Sequence, residues 1–323
     1  GAALMGEGHQ PVRVIVVGAG IVGLLSAMEC ALRGHLVTLI EQHSIPSPYG
    51  ISADQHRTIR AWHPGDTDAT RRAAALHRLW RDLEQIVATT LYQQVGVLVM
   101  TAQRMPDEER RSLAADGVEV DVLTCGEVAD RLPHLAVPPG AVGIFERDAG
   151  LVLAHRALTA IAGWLHRCAT VRLRPHSRVV RLDPDTATVH LQDGTVETGD
   201  LLFLAAGVDS RALLHGLLPQ RLTLFRQSML YCRPPADLTA AWQRTPVVMM
   251  LTGPAAGGWL QPPGPGTDLK ISGRAVCKAV DHVEAASPGA APRRILQRQL
   301  AATVVGADGY TAVRARTCHY FAD

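Results

Sequence analysis

Three glycines and one carboxylate, at fixed spacing in the first part of the chain, could bind a dinucleotide. Gly18 and Gly20 allow a turn tight enough for the backbone to approach a pyrophosphate, and Gly23 lets the following helix lie close to the preceding strand. Glu41 follows Gly20 by 21 residues. A carboxylate at that distance can accept two hydrogen bonds from a ribose diol and would repel a 2′-phosphate. The spacing therefore predicts a dinucleotide-binding site.

The elements around these residues have the pattern that such a site requires. Residues 14–17 are a β-branched run without a polar side chain, which predicts a strand buried on both faces. A helix with apolar residues on one face and a second strand over 36–40 then lead to Glu41. The alternatives for residues 14–32 are a signal peptide and a transmembrane helix. The glycines, Glu29 and the lack of a cleavage site argue against both.

The composition indicates a large core and narrows the classes of partner. With 323 residues, 47% hydrophobic content and a net charge of +2, the chain can bury a core in two lobes. The near-zero net charge gives no electrostatic reason to expect nucleic acid or an anionic membrane as a partner. The six cysteines lie without CxxC or metal-ligand spacing, so we expect no metal site and a reducing, cytoplasmic location.

The rest of the chain is predicted to contain both helices and strands. A strand over 201–207 is apolar throughout and ends in Ala206 and Gly207, so we expect it to be buried on both faces. Small residues at the carboxyl end of a strand let a ligand contact the backbone, which predicts a second wall of the cofactor site. Further helices are predicted from Asp66, from Thr124 and over 155–167 and 292–305, and further strands over 98–101, 142–146, 171–173, 179–182, 187–191, 222–232, 246–252, 268–272 and 310–323.

Four segments of the chain match a known family. They are His56-Arg57-Thr58-Ile59-Arg60, residues 200–214, Gly258-Trp259 together with Leu269-Lys270-Ile271, and Thr317-Cys318-His319-Tyr320. With these segments the chain resembles the FAD-dependent amine oxidases of the D-amino-acid oxidase superfamily. Within that superfamily it most resembles the branch of monomeric sarcosine oxidase and N-methyltryptophan oxidase.

The resemblance implies an α/β fold with two domains. A Rossmann-like FAD-binding domain of the glutathione-reductase type is expected from residues 11–75, 150–215 and 305–323. A substrate domain built on a mixed α+β sheet is expected from residues 76–149 and 216–304. Family members continue past the flavin cysteine with another strand, a glycine-rich flavin-contacting loop and a second basic substrate residue. We therefore expect the C-terminal part of the FAD domain to be missing from this chain.

The resemblance also implies roles for individual residues. Arg57 is expected beside the flavin ring, and Arg60 is expected to grip a substrate carboxylate. Cys318 is expected to form a thioether to the 8α-methyl group of FAD. The alternatives are two solvated surface arginines and a buried thiol without a link. The residues expected to contact FAD are Gly18, Gly20, Gly23, Glu41, Arg57, Val179, Ala206, Gly207 and Cys318.

Lys270 is singled out by its own surroundings as well as by the resemblance. It lies between Leu269 and Ile271 in a predicted strand. Burying a lysine there costs free energy, which suggests that it has a function. Among the 32 lysines and arginines only Lys270 and Lys278 are lysine, which suggests that a guanidinium would not serve at position 270. A compact ammonium next to flavin N5 would stabilise the negative charge that develops on O₂. The alternative is an edge-strand lysine that points to water.

Several residues depart from the family pattern and indicate a different substrate. His56 replaces a threonine, and residues 52–55 replace a histidine and small polar residues. Leu260 takes the position assigned to a substrate-facing tyrosine, and Arg274 takes that of a nearby histidine. Glu146 has no partner that can be identified from the sequence.

These features together predict a flavin-dependent oxidation. We expect the chain to oxidise a secondary or primary amine, with an amino acid as the favoured substrate, and O₂ to be reduced to hydrogen peroxide. The alternatives are a FAD-dependent dehydrogenase with another electron acceptor and a catalytically impaired flavin-binding protein. An NAD-dependent dehydrogenase is less favoured, because the loop after Glu41 and the strand over 201–207 are typical of flavin folds.

Overall fold

The computed structural model describes residues 10–215 and 222–322. The strands, in chain order, are β1 (Arg13–Val17), β2 (Leu36–Ile40), β3 (Arg57–Ile59), β4 (Tyr92–Gln93), β5 (Val97–Thr101), β6 (Val120–Leu123), β7 (Val142–Glu146), β8 (Gly150–Val152), β9 (Val171–Arg174), β10 (Val179–Asp183), β11 (Thr188–Leu191), β12 (Val196–Thr198), β13 (Leu201–Leu204), β14 (Thr223–Arg233), β15 (Val247–Met250), β16 (Gly258–Gln261), β17 (Leu269–Gly273), β18 (Cys277–Ala279) and β19 (Thr311–Ala322). The α-helices are α1 (Ile21–Leu32), α2 (Thr67–Ala73), α3 (Leu76–Val87), α4 (Asp107–Ala115), α5 (Cys125–Arg131), α6 (Ala154–Arg167), α7 (Ser210–Leu213), α8 (Thr239–Gln243) and α9 (Ala290–Thr303). Within the described ranges, no helix is long and apolar enough to cross a membrane.

The described residues form two compact units. Unit 1 holds residues 10–53 and 155–215, and unit 2 holds residues 54–154 and 222–322. The domain boundaries expected from the sequence differ from this division. They assign residues 54–75, 150–154 and 305–322 to the FAD domain, whereas the structure places these residues in unit 2. Strand pairing explains the difference, since β3 pairs with β8 and β19 pairs with β14 along its whole length.

Unit 1 is built on a parallel sheet in the order β13-β1-β2-β9. Residues 14–17 of β1 are buried, as predicted, because the strand has neighbours on both edges. A second, antiparallel sheet has the order β10-β11-β12. Asp193 and Gly194 lie in the turn that connects its last two strands. Apolar side chains from both sheets share one core, namely Ile15, Val17, Ile40, Val179, Val189 and Leu191.

The prediction of a fully buried strand over 201–207 is wrong in two respects. The strand β13 ends at Leu204, and a short 3₁₀-helix begins at Gly207. Leu201 and Phe203 are 50% and 41% exposed. The reason is topological, since β13 is the edge strand of the parallel sheet and only its β1 side is paired. An apolar run by itself does not distinguish an edge strand from a central one.

Unit 2 is built on a mixed sheet in the order β18-β14-β17-β16-β15-β5-β7-β6, with β19 also paired to β14. The remaining strands of unit 2 form a small sheet in the order β3-β8-β4. Helix α9 contributes Leu296 and Leu300 to a hydrophobic core that also contains Leu260 and Ile271. Strand β17, which carries Lys270, lies in the interior of the sheet because it pairs with β14 on one edge and with β16 on the other.

Two predicted helix starts are confirmed. The Asp66 side chain accepts a hydrogen bond from the Ala69 amide at 2.8 Å. The capping box at Thr124 has both of its bonds, because the Thr124 hydroxyl accepts from the Glu127 amide and the Glu127 carboxylate accepts from the Thr124 amide. The helix expected after Asp66 consists of two helices, α2 and α3.

Candidate functional site

The glycine turn of unit 1 has no room for side chains at two of its three positions. Gly18 has a φ of 103°, in the left-handed region, and a Cβ there would lie 2.2 Å from the Ala205 carbonyl oxygen. A Cβ on Gly23 would lie 1.7 Å from the Gly18 carbonyl oxygen. Gly20 is the N-cap of the twelve-residue helix α1 and provides no side-chain cap. The first-turn amides of α1 therefore face a turn that an anionic group can approach.

Glu41 reaches back to this turn from the end of β2. Its side chain is buried, and one carboxylate oxygen accepts a hydrogen bond from the Ala19 amide at 2.9 Å. The other oxygen accepts from the His43 amide at 3.0 Å. Each carboxylate oxygen has two lone pairs, so each retains one for a ribose hydroxyl. The turn and the carboxylate together fit the ADP part of FAD, and the role of Glu41 towards the ribose remains a prediction.

The other residues of unit 1 expected to contact FAD lie in two places. Ala206 and Gly207 come after β13, and Ala205, which lies between the end of β13 and Ala206, is close to the glycine turn. Gly207 has a φ of 57°, which a glycine adopts without strain. Val179 lies instead in the antiparallel sheet, where it pairs with Leu191 and is buried. Their roles towards FAD remain predictions.

In unit 2, Lys270 is completely buried, with 0% of its surface exposed. Its ammonium donates a hydrogen bond to one Asp54 carboxylate oxygen at 2.8 Å and another to the His56 carbonyl oxygen at 2.7 Å. Because β17 has neighbours on both edges, the alternative of an edge-strand lysine pointing to water is wrong. Burial lowers the pKa of Lys270 to about 8, and the Asp54 carboxylate limits the decrease.

Asp54 is the centre of a group of polar side chains. Its second carboxylate oxygen accepts a hydrogen bond from the Tyr231 hydroxyl at 2.7 Å. Arg57 places its Nε 3.9 Å from the oxygen that Lys270 binds. Burial alone would raise the pKa of Asp54, but the charge of Lys270 and its hydrogen bond outweigh burial, so the pKa is lowered to about 2. Asp54 is therefore ionised.

His56 is a neutral histidine within the same group. Its side chain is fully buried, and burial together with the Lys270 charge lowers its pKa to about 4. Its Nε2 lies 3.0 Å from the Pro262 carbonyl oxygen, which can only accept, so Nε2 carries the proton. His56 thus fixes the segment whose carbonyl oxygen holds Lys270.

Cys318 lies near the same charges. It is buried on β19 opposite Gln227 of β14. Burial raises the pKa of its thiol, and the charge of Arg57 is the largest influence that opposes this increase. The charges of Arg57 and Lys270 both influence this thiol. The role of Cys318 towards FAD remains a prediction.

Arg60 stands apart from the Asp54 group and belongs to a second network. Its guanidinium donates a hydrogen bond to the Trp62 carbonyl oxygen at 2.6 Å. Burial lowers its pKa, and the Glu146 carboxylate opposes this. Glu146 is buried and accepts hydrogen bonds from the Ala61 and Trp62 amides, and His77 Nε2 lies within hydrogen-bond distance of its carboxylate at 3.2 Å. Glu146 therefore has partners, which the sequence did not identify.

The aromatic side chain near Lys270 is Trp259 rather than the residue at position 260. Leu260 pairs with Ile271 and is completely buried in the unit 2 core, so its assignment to a substrate-facing position is wrong. Side chains alternate along a strand, which puts Trp259 on the other face, where its ring lies 5.7 Å from the Lys270 ammonium. Arg274 is exposed at the end of β17.

Sequence reasoning missed Asp54 and Tyr231. One signal for Asp54 was present, since a lysine in an interior strand requires a carboxylate and Asp54 lies three residues before Arg57. No sequence signal points to Tyr231, because its role depends on the register that sets it opposite Lys270.

A solved structure shows the fold of this chain, and a family model shows its class. The chain matches the open form of NikD, described as an unusual amino acid oxidase essential for nikkomycin biosynthesis, with a TM-score of 0.76. The match covers 97% of this chain and 82% of that chain at 21% identity, which shows a shared fold. The family model described as FAD dependent oxidoreductase matches residues 13–320, so the chain belongs to that family.

Curated relatives place the chain near the sarcosine oxidases. Human peroxisomal sarcosine oxidase is 29% identical over 172 residues, which are 53% of this chain and 44% of the human one. Monomeric sarcosine oxidase of Bacillus sp. is 27% identical over 214 residues, which are 63% of this chain and 53% of the bacterial one. The matches thus span about half of the length of these relatives.

Proposed function

We propose that this chain oxidises a secondary or primary amine, with an amino acid as the substrate class, and that O₂ is reduced to hydrogen peroxide. The amine loses two electrons and two protons to become an imine, and O₂ gains both. The observation that carries the proposal is the buried ammonium of Lys270, held between Asp54 and the His56 carbonyl oxygen in a chain of the FAD-dependent oxidoreductase family. The names of the relatives support the substrate class.

When bound, FAD supplies the redox chemistry, because it accepts a hydride equivalent from the carbon next to nitrogen and passes two electrons to O₂. In unit 1 the glycine turn, the α1 N-terminus and Glu41 would hold its ADP part. In unit 2 the chain's own contribution is charge, since Lys270 and Arg57 are cations and Asp54 is the carboxylate between them. A fixed ammonium stabilises negative charge on oxygen without reorganisation.

A second candidate is a dehydrogenase that passes electrons to an acceptor other than O₂. The observation that favours it is the Asp54 carboxylate, which lies 2.8 Å from the Lys270 ammonium and offsets part of its charge. A neutralised ammonium attracts an electron to O₂ less strongly than a free one. Arg57 restores a net positive charge to the group, which is why we place the oxidase first.

A panel of amines tests both candidates. The protein with bound FAD is mixed under nitrogen with amino acids, N-methyl amino acids and the matching decarboxylated amines, and the flavin absorbance is recorded. We expect at least one amino acid to bleach the flavin, and air to restore the colour with equimolar peroxide. Recovery of the colour only with an artificial dye would establish the dehydrogenase. Failure of every amine to bleach a bound flavin would contradict both.

Covalent attachment of FAD through Cys318 is a separate proposal. Acid precipitation of the protein is expected to leave the yellow colour in the pellet, and Cys318→Ala is expected to release it to the supernatant. Cys232→Ala is the matched control, since Cys232 is another buried thiol of unit 2 and its loss should leave the colour in the pellet. A colourless pellet from wild-type protein that contained flavin beforehand would show that no link forms.

A further inference from the structure

We propose that Asp54 and Tyr231 are positioning residues that keep the Lys270 ammonium protonated and hold it in one orientation. In that orientation the third N–H bond of the ammonium remains available to the oxygen that receives electrons. The proposal deepens the proposed function, on which it rests only for the identity of that acceptor.

The first observation is the count of acceptors around the ammonium. Lys270 has three N–H bonds, and the described residues provide two acceptors, one Asp54 carboxylate oxygen and the His56 carbonyl oxygen. The ring of Trp259 lies 5.7 Å from Nζ, beyond hydrogen-bond distance. Two bonds of fixed direction define the direction of the third, so the ammonium cannot rotate without breaking one of them.

The second observation is that Asp54 is itself held from its other side. Lys270 and Arg57 both approach the same carboxylate oxygen, at 2.8 and 3.9 Å. The other oxygen accepts from the Tyr231 hydroxyl and from the Gln55 amide, each at 2.7 Å. Loss of the Tyr231 bond would leave the amide of the adjacent residue Gln55 as the remaining donor to that oxygen, and the carboxylate could then turn towards Arg57 and away from Lys270. Tyr231 thus keeps Asp54 directed at the ammonium.

The third observation is the rigidity of Tyr231. It is completely buried, and strand register sets it opposite Lys270 across β14 and β17. The Arg314 guanidinium lies 4.2 Å from the centre of its ring on the neighbouring strand β19. Backbone pairing and ring packing therefore fix the hydroxyl, and through it the carboxylate, before any ligand is bound.

Charge explains why Asp54 is needed. The groups that affect the ammonium are Asp54, Arg57 and Cys318, with neutral His56 beside them. Burial and Arg57 both favour loss of the Lys270 proton, and Asp54 is the first influence that opposes them. Replacing the carboxylate by an amide of the same shape should therefore leave Lys270 neutral at about pH 7, because a buried amine without a counter-charge releases its proton.

The presence of only two lysines allows a direct test. Protein with its flavin is labelled with ¹³Cε,¹⁵Nζ-lysine, and Lys278→Met assigns the two signals. In the wild type we expect Lys270 to titrate near pH 8. We also expect its N–H signal to persist at about pH 7, where the ammonium of exposed Lys278 exchanges too fast to be seen. A neutral Lys270 at that pH in the wild type would overturn the proposal without any variant.

Two variants separate the role of Asp54 from the role of Tyr231. Asp54→Asn is expected to lower the Lys270 titration midpoint by at least about one pH unit. Tyr231→Phe is expected to lower the Lys270 midpoint by less than half of the shift in Asp54→Asn. In this variant the Asp54 carboxylate remains, but it is shared with Arg57. An unchanged midpoint in folded Asp54→Asn would overturn the role of Asp54. A raised or unchanged midpoint in Tyr231→Phe would overturn the orienting role of Tyr231.

Kinetics of the same variants link the titration to the reaction. Reoxidation of Asp54→Asn by air should be slow at about pH 8 and recover by about tenfold for each unit by which the pH is lowered towards the new midpoint. If Asp54 had a merely structural role, reoxidation of Asp54→Asn would be slowed equally at the higher and at the lower pH. If no amine reduces the flavin, the proposed function fails while the lysine titration still decides the roles of Asp54 and Tyr231.

Discussion

Lys270→Met is expected to slow the reoxidation of the reduced protein by air by about a hundredfold or more, the loss typical of one preorganised charge donor. Transfer of an electron to O₂ creates an anion, which needs a positive charge already in place. Oxidation of the amine does not create that anion, so bleaching by substrate under nitrogen should stay within about tenfold of the wild-type rate. Stopped-flow absorbance traces of the two half-reactions measure both effects.

Two further variants make this result specific. Lys278→Met changes the other lysine of the chain, which is exposed, and should alter neither half-reaction. Loss of Lys270 alone leaves the Asp54 carboxylate buried without its main partner, which is expected to destabilise the fold by about 3 to 5 kcal/mol. The double variant Lys270→Met/Asp54→Asn removes both charges and controls for that effect. Reoxidation of Lys270→Met or of the double variant at the wild-type rate would refute the assignment of Lys270 to the oxygen reaction.

Arg60→Met is expected to raise the KM for an amino-acid substrate far more than the KM for the matching decarboxylated amine. Loss of a bidentate hydrogen bond between charged groups should cost about 2 to 4 kcal/mol. That loss corresponds to an increase of about 30- to 1,000-fold in the KM of the amino acid. The ratio of the two KM values, measured by oxygen consumption, isolates the carboxylate interaction from general damage to the site.

The surroundings of Arg60 suggest the control for this prediction. Arg60 is half-buried and one of its nitrogens already donates to the Trp62 carbonyl oxygen, so its removal also affects the fold locally. Arg72→Met removes an exposed arginine of α2 and should change neither KM. If Arg60→Met reduces the use of the acid and of the amine equally, Arg60 supports the loop next to Glu146 and does not bind a substrate carboxylate.

The sequence by itself determined the glycine turn of unit 1 with its flanking strands, and it determined the family. The β-branched run of β1, the glycines of the turn and Glu41 are local signals, because a tight turn and a buried parallel strand restrict the residue types at adjacent positions. Gly18 and Gly23 are required by backbone contacts within the same βα unit and with the turn after β13. Capping at Asp66 and Thr124 was equally readable, since a cap involves residues three positions apart.

The tertiary structure decided which groups surround Lys270. Asp54 and Lys270 are 216 residues apart, and Tyr231 lies on a third segment, so no local pattern relates them. Strand register and side-chain alternation put Trp259 near the ammonium and Leu260 in the core. The exposure of β13 and the place of β19 in unit 2 follow from strand order. These features depend on long-range pairing, whose specificity comes from the summed burial of many side chains and not from the residues at the site.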